Sequence, residues 1–77
     1  MKTIHSQRYA AVISELRRVR VERKMTQKAL AEHLGKPQSY VAKVEVLERR
    51  LDVVEVSDWL HALGAEPASF FQSFDWW

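Results

Sequence analysis

Seventy-seven residues with a formal net charge of +2 and no cysteine fit one small domain with a thin core, and exclude a disulfide framework or a thiolate metal site. His5, His33 and His61 stand 28 residues apart, which is not zinc-ligand spacing, and no cofactor is expected. The longest apolar run, Tyr9 to Ile13, has five residues, far short of the roughly 20 a membrane span needs, and no signal-peptide hydrophobic region is present, so a cytoplasmic protein is the expectation.

Tyr9, Val12, Ile13, Leu16, Val19 and Arg20 recur at three- and four-residue steps, which predicts an amphipathic helix from about Ser6, its N-cap, to about Lys24. Its outer face is rich in arginine. Thr26 can cap a second, short helix of about eight residues, because its hydroxyl accepts an otherwise unpaired backbone N–H. Leu30, Ala31 and Leu34 form the inner face of that helix. Gly35 stands where the chain must leave through a left-handed conformation. Pro37 suits the entry to a third helix, having no N–H to lose there. Within that helix Val41 and Val44 point inward, while Gln38, Ser39, Ala42 and Lys43 point outward. Asp52-Val53-Val54-Glu55 has the form of a capping box. It opens a fourth helix expected to bury Val53 or Val54, Val56, Leu60 and Leu63, with Trp59 beside them and Gly64 at its close. Pro67 begins a last short helix carrying Phe70, Phe71 and Phe74. With two glycines, two prolines and no alternating apolar runs, nothing favours strands. The expected fold is all-α, five helices in one compact bundle spanning residues 1–77.

The modest net charge hides an asymmetry. Residues 17–50 hold ten Lys and Arg against four acids, whereas residues 51–77 hold five acids and neither Lys nor Arg. A basic segment of this kind is either a solvated face or the electrostatic footprint of a nucleic-acid contact. Motifs decide between the two. Two short helices joined by a glycine-containing turn are the helix-turn-helix signature, whose second helix enters the major groove.

From Gln27 to Glu45 the chain resembles the phage-repressor/Cro type of helix-turn-helix domain, the XRE family, through Gln27, Leu30, Ala31, Leu34, Gly35, Val41, Val44 and Glu45. Ala31 is small where the helices cross, Gly35 makes the turn, and Val41 and Val44 lock the recognition helix to the core. The resemblance extends over roughly residues 8–70 and implies a lambda-repressor-like bundle, with the motif at about residues 26–46. It further implies that Gln38, Ser39, Ala42 and Lys43 face base edges. Gln can bond adenine bidentately, Lys can donate to guanine, Ala can touch a thymine methyl, and Ser is permissive. Lys43 could equally meet a phosphate. Gln27 would contact a phosphate and brace Gln38. Tyr40, Arg49 and Arg50 are candidates for phosphate contacts, which fix register without reading sequence. Lys28 and Lys36 either join them or are solvated. Glu45 is expected to pair with Arg20 as a structural ion pair rather than to touch DNA.

One position departs from the pattern. Where the family places a glycine shortly after the motif's glutamate, this chain has Leu47, preceded by Val46. Leucine resists a left-handed conformation by roughly 1–2 kcal/mol, so either the third helix continues or the loop takes another path. The tail is also unusual: five of the last eight residues are aromatic, Phe70, Phe71, Phe74, Trp76 and Trp77. Phe70, Phe74 and Trp77 would share one helical face. They close the core, or they form a homodimer interface within residues 65–77.

The resulting expectation is a sequence-specific transcriptional regulator of double-stranded DNA, most simply a homodimeric repressor, and not an enzyme. The alternatives are an antitoxin-type regulator that also holds a protein partner, and a protein-interaction module that keeps the fold without reading DNA. The acidic, aromatic last third and Leu47 motivate the latter, and Gln27, Gln38 and Lys43 on the outward face argue against it.

Overall fold

A computed structural model describes residues 6–76. Among them the chain forms five helices: α1 (Gln7–Glu22), α2 (Gln27–Leu34), α3 (Gln38–Glu45), α4 (Val53–Leu63) and α5 (Pro67–Gln72). No strand occurs among the described residues.

Local chemistry sets most of the boundaries. The Ser6 hydroxyl accepts the Tyr9 N–H at 3.1 Å and the Thr26 hydroxyl accepts the Ala29 N–H at 3.0 Å, each satisfying a donor that the first helical turn leaves unpaired. Asp52 and Glu55 form the full reciprocal capping box at the start of α4. Glu66 caps α5 ahead of Pro67 by accepting the Ser69 N–H, a bond that holds the Glu66 carboxyl below its ordinary value. α1 stops two residues short of the expected Lys24. Lys24 turns left-handed (φ 57°), and the Met25 N–H reaches back to the Arg20 carbonyl. Gly64 terminates α4 at φ 69°. A methyl there would stand 3.2 Å from the Arg23 guanidinium, which itself donates to the Leu63 carbonyl and so caps the α4 C-terminus.

The core lies where α1, α2, α3 and α4 converge. Ile13, Leu16, Leu30, Val41, Val44, Trp59 and Leu60 are almost wholly enclosed. Trp59 is at the centre of this core rather than beside it. Its indole N–H is satisfied by the Tyr40 hydroxyl at 3.2 Å, which is what lets so large an amphipathic ring be buried.

Two expectations fail in the last third. Neither Val53 nor Val54 is buried; they are 80% and 64% exposed. Asp52 caps the helix so that both fall in its first turn, outside the stripe Val56, Trp59, Leu60, Leu63 that faces the core. Phe74 is not on a helical face with Phe70, because α5 ends at Gln72. The two rings nonetheless meet edge-on, with centroids 5.5 Å apart, because the chain turns at Ser73, whose hydroxyl donates to the Phe70 carbonyl. Trp77 lies outside the described residues.

The corner between α3 and α4 follows neither route anticipated for Leu47. α3 ends at Glu45, Val46 is its C-cap, and Leu47 itself takes the left-handed conformation at φ 68°. The Glu48 N–H then bonds the Lys43 carbonyl at 2.8 Å, closing the corner as a glycine would. The Leu47 side chain is half-buried against the core, and that burial offsets the backbone strain.

A candidate nucleic-acid interface

α2 and α3 present their N-terminal ends on one side of the molecule, joined by a turn whose pivot, Gly35, has φ 68° with no atom beyond its chain neighbours within 4 Å of where a Cβ would stand. Pro37 occupies the N-cap of α3, so Gln38 and Ser39 are the first residues of the helix. Gln38, Ser39 and Lys43 are exposed and Ala42 is half-buried, because Val41 and Val44 occupy the inward side.

Behind this exposed end runs a polar chain that crosses three helices. Arg20 is 7% exposed and engages Glu45 twice, Nε to Oε2 at 2.6 Å and Nη2 to Oε1 at 3.0 Å. Its Nη1 donates to the Met25 carbonyl at 2.8 Å. The bidentate fork matches the guanidinium and carboxylate planes, and the third bond uses a remaining donor, as a buried ion pair requires. The pairing of Arg20 with Glu45 is therefore present, but Glu45 has more partners than one. Gln27 Nε2 donates to Glu45 Oε1 at 2.9 Å, and Gln38 Nε2 lies 3.5 Å from Gln27 Oε1. Arg17, which sequence reasoning counted only as part of a basic face, stands with its Nε 3.8 Å from the same Glu45 oxygen. Gln27 thus faces Gln38 on one side, as the resemblance implies, and a buried carboxylate on the other. No pattern in the sequence signalled that second link.

Two cations approach the Tyr40 ring. Lys36 Nζ and Arg49 Cζ lie 5.4 Å and 5.2 Å from its ring centroid, within reach of the ring's negative face. Burial pushes its phenol up, opposed by the hydrogen bond from Trp59. Arg49 also donates to Glu55 at 2.8 Å. That bond, helped by the Asp52 N–H, holds the Glu55 carboxyl below its ordinary value. Arg50 lies over the Tyr9 ring at 4.3 Å, while the Tyr9 hydroxyl accepts the Leu51 N–H at 3.0 Å. Tyr40, Arg49 and Arg50 are thus held in place by contacts within the chain. Lys28 and Lys36 are exposed on α2 and the turn that follows it.

The aromatic tail divides. Phe70 is 5% exposed and belongs to the core. Phe71, Phe74 and Trp76 are half-buried, with Phe74 stacked on Trp76 at 5.1 Å and Arg8 over the Trp76 ring at 5.5 Å. Among the described residues no group of three or more His, Cys, Asp or Glu side chains could hold a metal ion. None of their helices is long and apolar enough to cross a membrane.

Comparison with known proteins agrees with this geometry. The helix-turn-helix family model HTH_3 matches residues 16–70. Among solved structures, the chain is similar to an XRE-family like protein from Pseudomonas syringae pv. tomato str. DC3000, with 43% identity over 91% of this chain and 85% of that one, and a TM-score of 0.84. It also has the fold of the restriction-modification controller protein C.Esp1396I, with 23% identity over 90% of this chain and 91% of that one, and a TM-score of 0.83. That controller has also been solved as a tetramer in complex with its natural 35 base-pair operator, against which the TM-score is 0.82 at 23% identity. No curated protein matches the chain. The match of the family model over most of the sequence, with the polar and apolar residues of the motif in their places, shows that the chain belongs to the XRE-type helix-turn-helix family.

Proposed function

We propose that this DNA-binding transcriptional regulator of the XRE type recognises one duplex sequence through the N-terminal end of α3, binding as a homodimer and acting as a repressor. The observation that carries the reading is the position of Gln38, exposed at the start of α3 and backed by Gln27 at 3.5 Å. A base-reading amide needs that combination: access to a base edge, and a neighbour that limits its rotamers. Ser39, Ala42 and Lys43 extend the same face, Lys43 toward either a guanine or a phosphate. Lys28, Lys36, Arg49 and Arg50 would neutralise phosphates along its edges, a salt-sensitive term, and Gln27 and Tyr40 would hydrogen-bond phosphates there; neither kind of contact carries sequence information. The operator-bound tetramer of C.Esp1396I supports the reading by analogy of fold. The accessible rings of Phe71, Phe74 and Trp76 are the proposed dimer contact. A two-fold dimer would read half-sites about one helical turn apart, in the cytoplasm, where such operators lie.

Selection of binding sites from a randomised duplex library, followed by titration at two salt concentrations, tests this. A pseudo-palindromic winner is expected, with affinity over a scrambled duplex lost in Gln38→Ala and Lys43→Ala. If no sequence is enriched and binding simply fades with salt, recognition by α3 is wrong.

A further inference from the structure

The geometry points to Glu45 and Arg20 as positioning residues for base recognition: they set which way round the Gln27 and Gln38 amides stand, and thereby make the chain select adenine over guanine at the base met by Gln38. This inference rests on the recognition reading above and adds a role for a buried ion pair that need not touch DNA.

The argument is one of donors and acceptors. A primary amide has a C=O end and an NH2 end of nearly equal size, so a glutamine can turn over in its socket without changing its packing. A carboxylate has no such choice, because it can only accept. Glu45 is clamped by two bonds from Arg20 and its side chain is 2% exposed, so its Oε1 is a fixed acceptor deep in the fold. Gln27 must therefore turn its NH2 toward Glu45, as the 2.9 Å contact shows. Its carbonyl oxygen is then left for Gln38. Facing that acceptor, Gln38 must in turn offer an N–H, which it does at 3.5 Å, the longest link of the chain and the one nearest the exposed face.

The consequence appears at the outward edge of Gln38. One N–H is committed inward, leaving a carbonyl oxygen and a second N–H. That pair complements adenine, which shows an N6–H donor and an N7 acceptor in the major groove. It opposes guanine, which shows acceptors at both O6 and N7. A Gln27 turned the other way would invert the relay, drawing the Gln38 carbonyl inward and presenting both its N–H groups to DNA, a face suited to guanine. Specificity is thus set by what the wrong base leaves unpaired as well as by what the right base gains.

The test uses the full chain. Gln38→Ala first identifies the base pair whose preference depends on Gln38. Duplexes differing only there, A·T against G·C, are then titrated with the wild type and with two variants. Glu45→Gln replaces the fixed acceptor with a group that can turn over. Arg20→Met combined with Glu45→Leu removes both charges together, so that neither is left buried alone. Thermal melts by circular dichroism confirm which variants are folded. The wild type is expected to prefer A·T there, by roughly tenfold or more. Each folded variant should lose most of that preference while keeping its discrimination at every base pair that Gln38 does not meet.

A folded variant that keeps the full preference overturns the inference. So does one that loses preference evenly at all positions, since a merely structural pair would do that. A wild type preferring G·C at that position overturns the relay and leaves recognition by α3 standing. A wild type with no sequence preference overturns both. Should both variants fail to fold, Gln27→Leu cuts the relay while leaving the ion pair intact. Retention of the A·T preference in that variant overturns the relay, and its loss at that position alone supports it.

Discussion

The two ends of the recognition helix solve the same geometric problem with different residues. Gly35 before α3 and Leu47 after it both stand at φ 68°. At the entry the turn is exposed, and nothing approaches the place a side chain would take. At the exit almost every group is tied down: Glu45 to Arg20, Leu47 against the core, Arg49 to Glu55, and the Leu51 N–H to the Tyr9 hydroxyl. The entry end stays accessible because the exit end holds the helix. A left-handed residue can therefore be chosen for its backbone where packing is absent, and for its side chain where packing is available.

The strongest way to break this contrast is at the anchor. Glu45→Ala should cost roughly 3–5 kcal/mol of stability by leaving Arg20 charged and buried without its partner, measured by urea unfolding. A loss of under about 1 kcal/mol, the range of exposed pairs, would mean that the pair is hydrated in solution and that α3 is not anchored through it. Next in size are the two left-handed positions. Leu47→Ala should lose about 1–2 kcal/mol of packing with no relief of strain, whereas Leu47→Gly should recover about 1 kcal/mol of it by freeing the backbone. Gly35→Ala, with no packing to lose, should cost about 1 kcal/mol from strain alone. An Ala variant at position 47 more stable than the Gly variant would show that the corner does not hold its left-handed turn.

The smallest effect sharpens the exit end further. Because the folded Glu55 carboxyl lies below its ordinary value, it adds stability that is complete above the unfolded carboxyl's value of about 4.3 and drains away as pH falls through the folded value. Wild type should therefore exceed Glu55→Gln in stability at neutral pH, and the gap should close in acid. A gap independent of pH would show that the Glu55 charge contributes nothing, since Gln keeps an acceptor for the Asp52 N–H.

How far the sequence was legible depended on how local the governing physics was. Ser6, Thr26, Asp52 and Glu66 act within three residues of themselves, and Ser6, Thr26 and the Asp52–Glu55 box could be read directly as helix starts. The three- and four-residue spacing of Ile13, Leu16, Val19 and Arg20 likewise announced a face, and the structure buries all four. Reading failed where a choice depended on rotation about a helix axis or on contacts distant in sequence. Val53 and Val54 are as apolar as Val56, and only the docking of α4 decides that they face solvent. The aromatics of the tail gave no sign that Phe70, alone among the described ones, would be enclosed.

By itself, then, the sequence determined five helices, the N-caps of three of them at Ser6, Thr26 and Asp52, the helix-turn-helix with Gly35 at its turn, and the outward face of Gln38, Ser39 and Lys43. These follow from backbone hydrogen bonding and hydrophobic period, which operate over a few residues. Only the tertiary structure decided that Leu47 would accept a glycine's conformation, since the reward is burial against distant side chains. It alone decided that Gln27 would bond Glu45, 18 residues away. An amide's orientation is settled by the polarity of whatever it meets across the fold, and no spacing along the chain encodes that.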